Sequence, residues 1–491
     1  MRILAIDQGT SATKALVVDE DGRVEALAEV PVSVRHGADG AVEVDPEGLW
    51  TSVLAAGTSA VVAAGGGTID AVGLANQGET VLAWDRASGA PRSAGIVWQD
   101  RRAAAVCERL QRAGAAERLT AITGLELDPY FVAPKVVWLQ EQLEGIGTHG
   151  DGDLAVTTTD TWLLHRLCGE GFVTDAATAS RSLLLDLDRV EWSAEAAELF
   201  GLAVSELPTI VDNASILGHT ERFGGSVPVA GACVDQQAAL FAESCWSAGE
   251  AKCTYGTGAF LLATTGADPA RSSHGLVGCV AWRLAGRPTW CLDGQVFTVG
   301  AAISWLESIG VIEGPVDLDR LGGSVPDAAG VTFVPGLAGL GAPFWAAQAR
   351  GALTGLSLGT ERAHLVRAAI DGIASQVAWL ARAAGADLGR PLERLRVDGG
   401  LTRSRTLLQV QADLLQAPVE VYPSPHATAL GVAAFARLGL SGPSVDLSGA
   451  ELTAALPDWQ ASAVVEPRIG ADEAEERLQS WRAAAEATLP L

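Results

Sequence analysis

The sequence predicts an α/β protein of two domains, and three observations carry that prediction. Its 491 residues exceed the length over which one hydrophobic core keeps growing. Apolar strand-like runs alternate with helix-like stretches from one end to the other. A unit of strand, glycine- and hydroxyl-rich turn, and strand occurs twice, over residues 2–18 and again over 251–264. A unit that opens each half points to a duplicated fold, with domains over 1–245 and 246–491.

The first turn, Asp7-Gln8-Gly9-Thr10-Ser11-Ala12-Thr13-Lys14, places a carboxylate, three hydroxyls and an ammonium within eight residues. Gly9 can adopt angles that turn amide N–H groups toward an anion. Residues 24–32 continue the sheet. Asp45-Pro46-Glu47 starts a helix, with Asp as cap and Pro at the first helical position, and Gly65-Gly66-Gly67 stops it. Strands at 69–75 and 81–85 flank Asn76-Gln77-Gly78-Glu79-Thr80. The strand within Ile96-Val97-Trp98-Gln99-Asp100-Arg101-Arg102 ends in an aromatic ring, a carboxylate and two guanidiniums, and a helix over 103–113 follows. Residues 148–225 read as short pieces without legible chemistry.

The strand 229–234 delivers Asp235-Gln236-Gln237 to the start of a helix over 238–244. After the second hairpin come a strand at 290–296, a helix at 300–309 and a Gly/Pro-rich loop at 335–345. Thr360 is read as the cap of a long amphipathic helix over 361–384. A strand at 395–397 ends in Asp398-Gly399-Gly400. Helix 403–416, strand 419–422, helix 427–438, a loop-rich stretch at 439–470 and helix 471–488 complete the chain.

With 34 basic and 59 acidic residues, the formal net charge is −25. That argues against nucleic acid and anionic membrane as partners, since both require a positive footprint. No apolar run has the length of a signal peptide or a membrane span, so a cytoplasmic location is expected. The seven cysteines form no CxxC pair, which points to buried free thiols rather than a zinc site. Only three lysines occur, Lys14, Lys135 and Lys252, each within or beside a conspicuous stretch.

These stretches together resemble one family. DQGTSATKA at 7–15, NQGET at 76–80, IVWQDRR at 96–102, DPYFVAPKVVWL at 128–139, DQQAALF at 235–241, AKCTYGTGAFLL at 251–262, GLGAPFW at 339–345 and VDGG at 397–400 resemble the FGGY carbohydrate kinases in order and spacing. The sequence looks most like the glycerol-phosphorylating branch. The resemblance implies two actin-like (ribonuclease-H-like) domains around a central cleft. It also implies Mg²⁺-dependent transfer of the ATP γ-phosphate to a terminal hydroxyl of a small polyol or sugar, in a homodimer or homotetramer.

By the same resemblance, Asp235 is the catalytic base and Asp7 holds Mg²⁺. The acceptor pocket combines Gly78, Glu79, Trp98, Asp100, Tyr130, Asp235, Gln236 and Phe260. Thr10, Ser11, Lys14, Gly256 and Thr257 surround the phosphates, and Gly300, Ser304, Gly399, Gly400 and Ser404 the nucleoside. No GxxxxGK[ST] motif occurs, so a P-loop is excluded. Gly78 stands where the glycerol-phosphorylating branch carries arginine, and Ser304 and Ser404 where it carries glutamine and asparagine. Lys14 and Asp100 look more like the pentulose kinases. A four- or five-carbon polyol or a pentulose is therefore the alternative acceptor. An actin-like ATPase without a small acceptor and a catalytically idle sugar-binding regulator are the alternatives from other classes.

Overall fold

The opening hairpin forms as its pattern requires. Strands Ile3–Gln8 and Ala12–Val18 pair antiparallel, with Asp7 directly opposite Lys14, and the Gly9 N–H donates to the Ala12 carbonyl at 3.0 Å to close the turn. Residues directly opposite share a face, so the carboxylate and the ammonium emerge together. Strand Val24–Pro31 extends the hairpin, and Ala71–Asn76, Val227–Val234 and Ala214–Thr220 complete a six-stranded mixed sheet. This computed structural model describes residues 1–145, 154–442, 452, 455–456 and 458–489. The expected loop-rich stretch at 439–470 lies partly outside them.

The second sheet repeats the plan. Ala251–Tyr255 and Ala259–Gly266 form the hairpin, Arg287–Val296 and Val277–Leu284 extend it antiparallel, and Leu395–Asp398 and Val419–Val421 add in parallel on the other side. In both sheets the opening hairpin is extended antiparallel on one side and joined by two parallel strands on the other; in the second sheet Arg287–Val296, not the intervening Val277–Leu284, pairs with the hairpin. Strand Val277–Leu284 is absent from the sequence reading. Its apolar run is buried on both faces and carries no alternation to mark it.

Helix starts follow their caps. Asp45 accepts from the Glu47 and Gly48 N–H groups at the head of Pro46–Ala63. The long helix runs Arg362–Asp387, and its cap is Glu361 rather than Thr360, with His364 returning a bond to the Glu361 N–H. Helix Ala427–Ser441, from the chain's second half, lies across the first sheet and against helix Asp235–Ala242. Glycines make that seam. A Cβ at Gly431 would sit 1.9 Å from the Ala238 carbonyl oxygen, one at Gly439 2.0 Å from that of Ala230, and one at Gly231 2.6 Å from the Ala436 nitrogen. Backbone therefore meets backbone with no side chain between. Among the described residues, no helix is long and apolar enough to cross a membrane.

Candidate active site

Two adjoining cavities lie where the hairpins face one another, and the Gly256-Thr257 turn walls both. The smaller, about 230 Å³, is lined by Asp7, Thr10, Ser11, Lys14, Gly78, Glu79, Trp98, Tyr130, Asp235, Gln236 and Phe260, all named from the sequence. The larger, about 760 Å³, is lined by Gly300, Ser304, Gly400 and Ser404 together with Ala301, Glu307, Asp319 and Arg403.

Three aromatic rings wall the smaller cavity. Trp98 meets Tyr130 at 5.9 Å and Phe260 at 5.8 Å, both edge to face, which exposes ring faces to C–H groups. The Trp98 indole N–H donates to Thr10 Oγ1 at 2.9 Å, so the aromatic wall and the first turn are joined. Tyr130 is fixed from behind. Its N–H donates to Asp128 Oδ1 at 2.8 Å, and the buried Lys135 ammonium donates to the Tyr130 and Phe131 carbonyls. Lys135 thus has a structural task that its position in the motif did not reveal.

Asp235 is the first residue of helix Asp235–Ala242, delivered there by strand Val227–Val234. Its Oδ1 accepts from the Gln236 N–H at 2.7 Å, and Oδ2 has no partner among the described residues. Across the cleft, Lys252 donates to Gln236 Oε1 at 2.6 Å and to Thr254 Oγ1 at 2.7 Å. With its oxygen engaged, the Gln236 amide turns its NH₂ away from Lys252 as a donor. The Asp7 carboxylate accepts no hydrogen bond among the described residues.

The electrostatics set these carboxyls apart from surface acids. Burial pushes Asp235 up to about 7; Asp7 and Glu79 push it further, and Lys252 opposes them. Asp7 rises to about 6, mainly through burial, with Lys14 pulling down and Asp398 pushing up. In the role of base that the sequence resemblance implies, Asp235 accepts a proton only when ionised. We therefore expect kcat/KM to halve near pH 7 and to fall about tenfold per pH unit well below it, whereas a carboxyl at the ordinary 3.8 would hold a plateau to about pH 5. A pH–rate profile checks this.

The larger cavity rests on the second turn. Gly256 and Thr257 carbonyls accept from the Val299, Gly300 and Ala301 N–H groups at 3.0–3.1 Å, at the head of helix Gly300–Ser308. A Cβ on Gly300 would meet the Gly256 oxygen at 2.6 Å. Gly399, at φ +94°, presses on the Tyr255 backbone, where a Cβ would lie 2.4 Å from its oxygen. These two glycines serve chain-on-chain packing, while Gly400 has open space.

Two expected site residues lie away from both cavities. Asp100 lines neither cavity; it is buried, and its carboxylate accepts from the Val42 and Arg102 N–H groups and the Arg102 guanidinium. Gly399 also lines neither. Ser404 does line the larger cavity, but its hydroxyl caps helix Arg405–Leu415 and donates to Asp319 at 2.9 Å, leaving little for a ligand. Sequence reasoning missed Arg181, Gln237, Thr254 and Thr428 on the smaller cavity. Gln237 and Thr254 lay inside quoted motifs; Arg181 and Thr428 lay in none.

Residues 2–242 match the FGGY family of carbohydrate kinases, N-terminal domain, and residues 251–440 match its C-terminal domain. The chain belongs to this family. It is an ATP-dependent kinase that phosphorylates an alcohol group of a small polyol or sugar. Within the family it is most like glycerol kinase. The glycerol kinase of Aromatoleum aromaticum is 42% identical over 491 residues, covering 99% of this chain and 98% of that one. That of Bordetella parapertussis is 42% identical, covering 99% and 96%. Among solved structures, Plasmodium falciparum glycerol kinase with ADP superposes with a TM-score of 0.89 at 30% identity, covering 100% and 98%. The two-domain actin-like, ribonuclease-H-like fold is thereby established.

Proposed function

We propose that Asp235 takes the proton from a terminal hydroxyl of a polyol bound in the smaller cavity, while ATP in the larger cavity presents its γ-phosphate across the Gly256-Thr257 turn. The observation that carries this reading is that shared turn: it is the wall where a nucleotide tail and an alcohol would meet, beside the unpartnered Asp235 Oδ2. The acceptor hydroxyls bond to Glu79, Gln236 and Tyr130, with Trp98 and Phe260 against the carbon chain. Thr10, Ser11, Lys14 and the Gly256-Thr257 amides take the phosphate oxygens. The nucleoside lies over Gly300, Ser304 and Gly400. In this reading the domain boundary is 245/246, and the link between helix Asp235–Ala242 and strand Ala251–Tyr255 supports it. The seven free thiols suit a reducing cytoplasm, where the enzyme works as a dimer or tetramer.

The residues fit Mg²⁺. Asp7 is raised by burial, with Lys14 as its one cationic neighbour among the described residues, so a polyphosphate beside it and Asp235 requires a further positive charge. No cluster of three or more metal-ligating side chains forms among the described residues, which matches an ion held by one carboxylate, waters and phosphates. When bound, Mg²⁺ would neutralise phosphate charge. Asp7 would hold it, Lys14 would pair with the phosphates, and closure of the cleft would exclude water as a competing acceptor.

A cavity of about 230 Å³ lies below the usual range of drug-sized sites, about 300–1,000 Å³, and suits a molecule of few carbons. Glycerol is the first acceptor proposed. Gly78 favours a second: it lines the cavity without offering it a side-chain donor, and a four- or five-carbon chain is the acceptor proposed there. A coupled ADP-release assay across glycerol, erythritol, D-xylulose and D- and L-ribulose decides between them. The highest kcat/KM on glycerol removes the longer acceptor. ATP turnover indifferent to all five points instead to an actin-like ATPase.

A further inference from the structure

We infer that Arg181 is the positioning residue of the acceptor site, holding the Glu79 carboxylate and the Tyr130 hydroxyl in place against a counter-charge, Asp293, supplied by the other sheet. The assignment rests on the acceptor reading above and says what builds that site. Arg181 follows the short helix Ala176–Ser180 and is 3% exposed. Its Nε donates to Glu79 Oε1 and its Nη1 to Asp293 Oδ2; Nη2 lies 3.3 Å from the Tyr130 hydroxyl. A guanidinium has five N–H groups in a rigid fork. With Nη1 also 3.8 Å from Cys279 Sγ, one N–H of Nη2 has no partner among the described residues, on a side chain that lines the smaller cavity.

Asp293 belongs to strand Arg287–Val296 of the second sheet and does not line the cavity. Gln295 Nε2 donates to Asp293 Oδ2 at 2.6 Å and fixes it from the side. Glu79 depends on this arrangement. It is 3% exposed, its backbone is held at φ +54°, and Oε2 has no partner among the described residues. A non-glycine residue at such an angle persists only where its surroundings hold it. Removing one partner from a buried ion cluster leaves an uncompensated charge, which protonates or moves. Burial already pushes the Glu79 carboxyl up and Arg181 pulls it back. Without the guanidinium, Glu79 would cease to be a fixed acceptor, and the Tyr130 hydroxyl would lose the donor that faces it. Asp293 can reach the acceptor only through Arg181, so its replacement separates positioning from direct contact.

Steady-state kinetics in both substrates, with thermal unfolding, for wild type, Arg181→Lys, Arg181→Met and Asp293→Asn test this. The expected result is a KM for the acceptor raised about 10- to 100-fold in Arg181→Met, the range for a lost charged hydrogen bond. Asp293→Asn should raise it about tenfold, and Arg181→Lys should fall between wild type and Arg181→Met, with KM for ATP within about twofold throughout. Should Arg181→Met fail to fold, Arg181→Lys and Asp293→Asn carry the test. An acceptor KM within twofold of wild type in those two, or both KM values rising together with loss of folded protein, overturns the assignment. A wild-type enzyme that phosphorylates no polyol or ketose overturns the acceptor reading and this one together. Wild-type activity with unshifted variants overturns this one alone.

Discussion

Asparagine in place of Asp235 is expected to lower kcat by about 10²–10⁴-fold while KM for both substrates changes little. The amide keeps the size of the carboxylate and can still accept from the Gln236 N–H through its oxygen. It cannot take a proton. The loss should therefore fall on the chemical step, and single-turnover measurements read it directly. The residual rate comes from positioning and from charge neutralisation at the phosphates, which the substitution leaves in place. A variant within tenfold of wild type would remove Asp235 as the base. The acid limb of the pH profile should vanish with the carboxyl, because the group that rises to about 7 is no longer there.

Alanine at Gly431 is expected to cost about 1–3 kcal/mol of stability or more, the range for overpacking a close contact. Its Cβ would lie 1.9 Å from the Ala238 oxygen and 2.6 Å from the Ala238 carbon, and neither is the end of a flexible side chain. Relief requires the two helices to separate. Helix Asp235–Ala242 carries the proposed base at its head, so kcat should fall along with stability. Urea unfolding with a matched kinetic assay measures both. Gly359→Ala is the control: its nearest neighbour is Ser357 Oγ at 3.7 Å, and the substitution should stay within about 0.5 kcal/mol.

Much of the fold is legible in the sequence because its signals are local. Hairpins with Gly/Thr turns, the Asp45 cap and the alternation of strand and helix all depend on near neighbours. The lost parts depend on distant ones. Nothing around residue 181 distinguishes an arginine between Glu79 and Asp293 from an ordinary surface arginine, because its partners are about a hundred residues away in either direction. Asp100 stands in a motif rich in charge, yet its carboxylate is engaged by the Val42 N–H and Arg102. Ser404 stands at a position expected to meet the base, but the helix that begins at Arg405 takes its oxygen first. In each case the residue type was legible and the partner was not, because hydrogen-bond partners are settled by tertiary contact.

The Gly256-Thr257 turn has a consequence for fidelity. Three backbone bonds weld it to the head of helix Gly300–Ser308, so the wall proposed for the nucleoside and the wall proposed for the phosphate tail are one rigid piece. A purine that sits askew would tilt the γ-phosphate it presents. Discrimination among nucleoside triphosphates should then register as turnover more than as occupancy, and a poor donor could fill the enzyme while scarcely reacting.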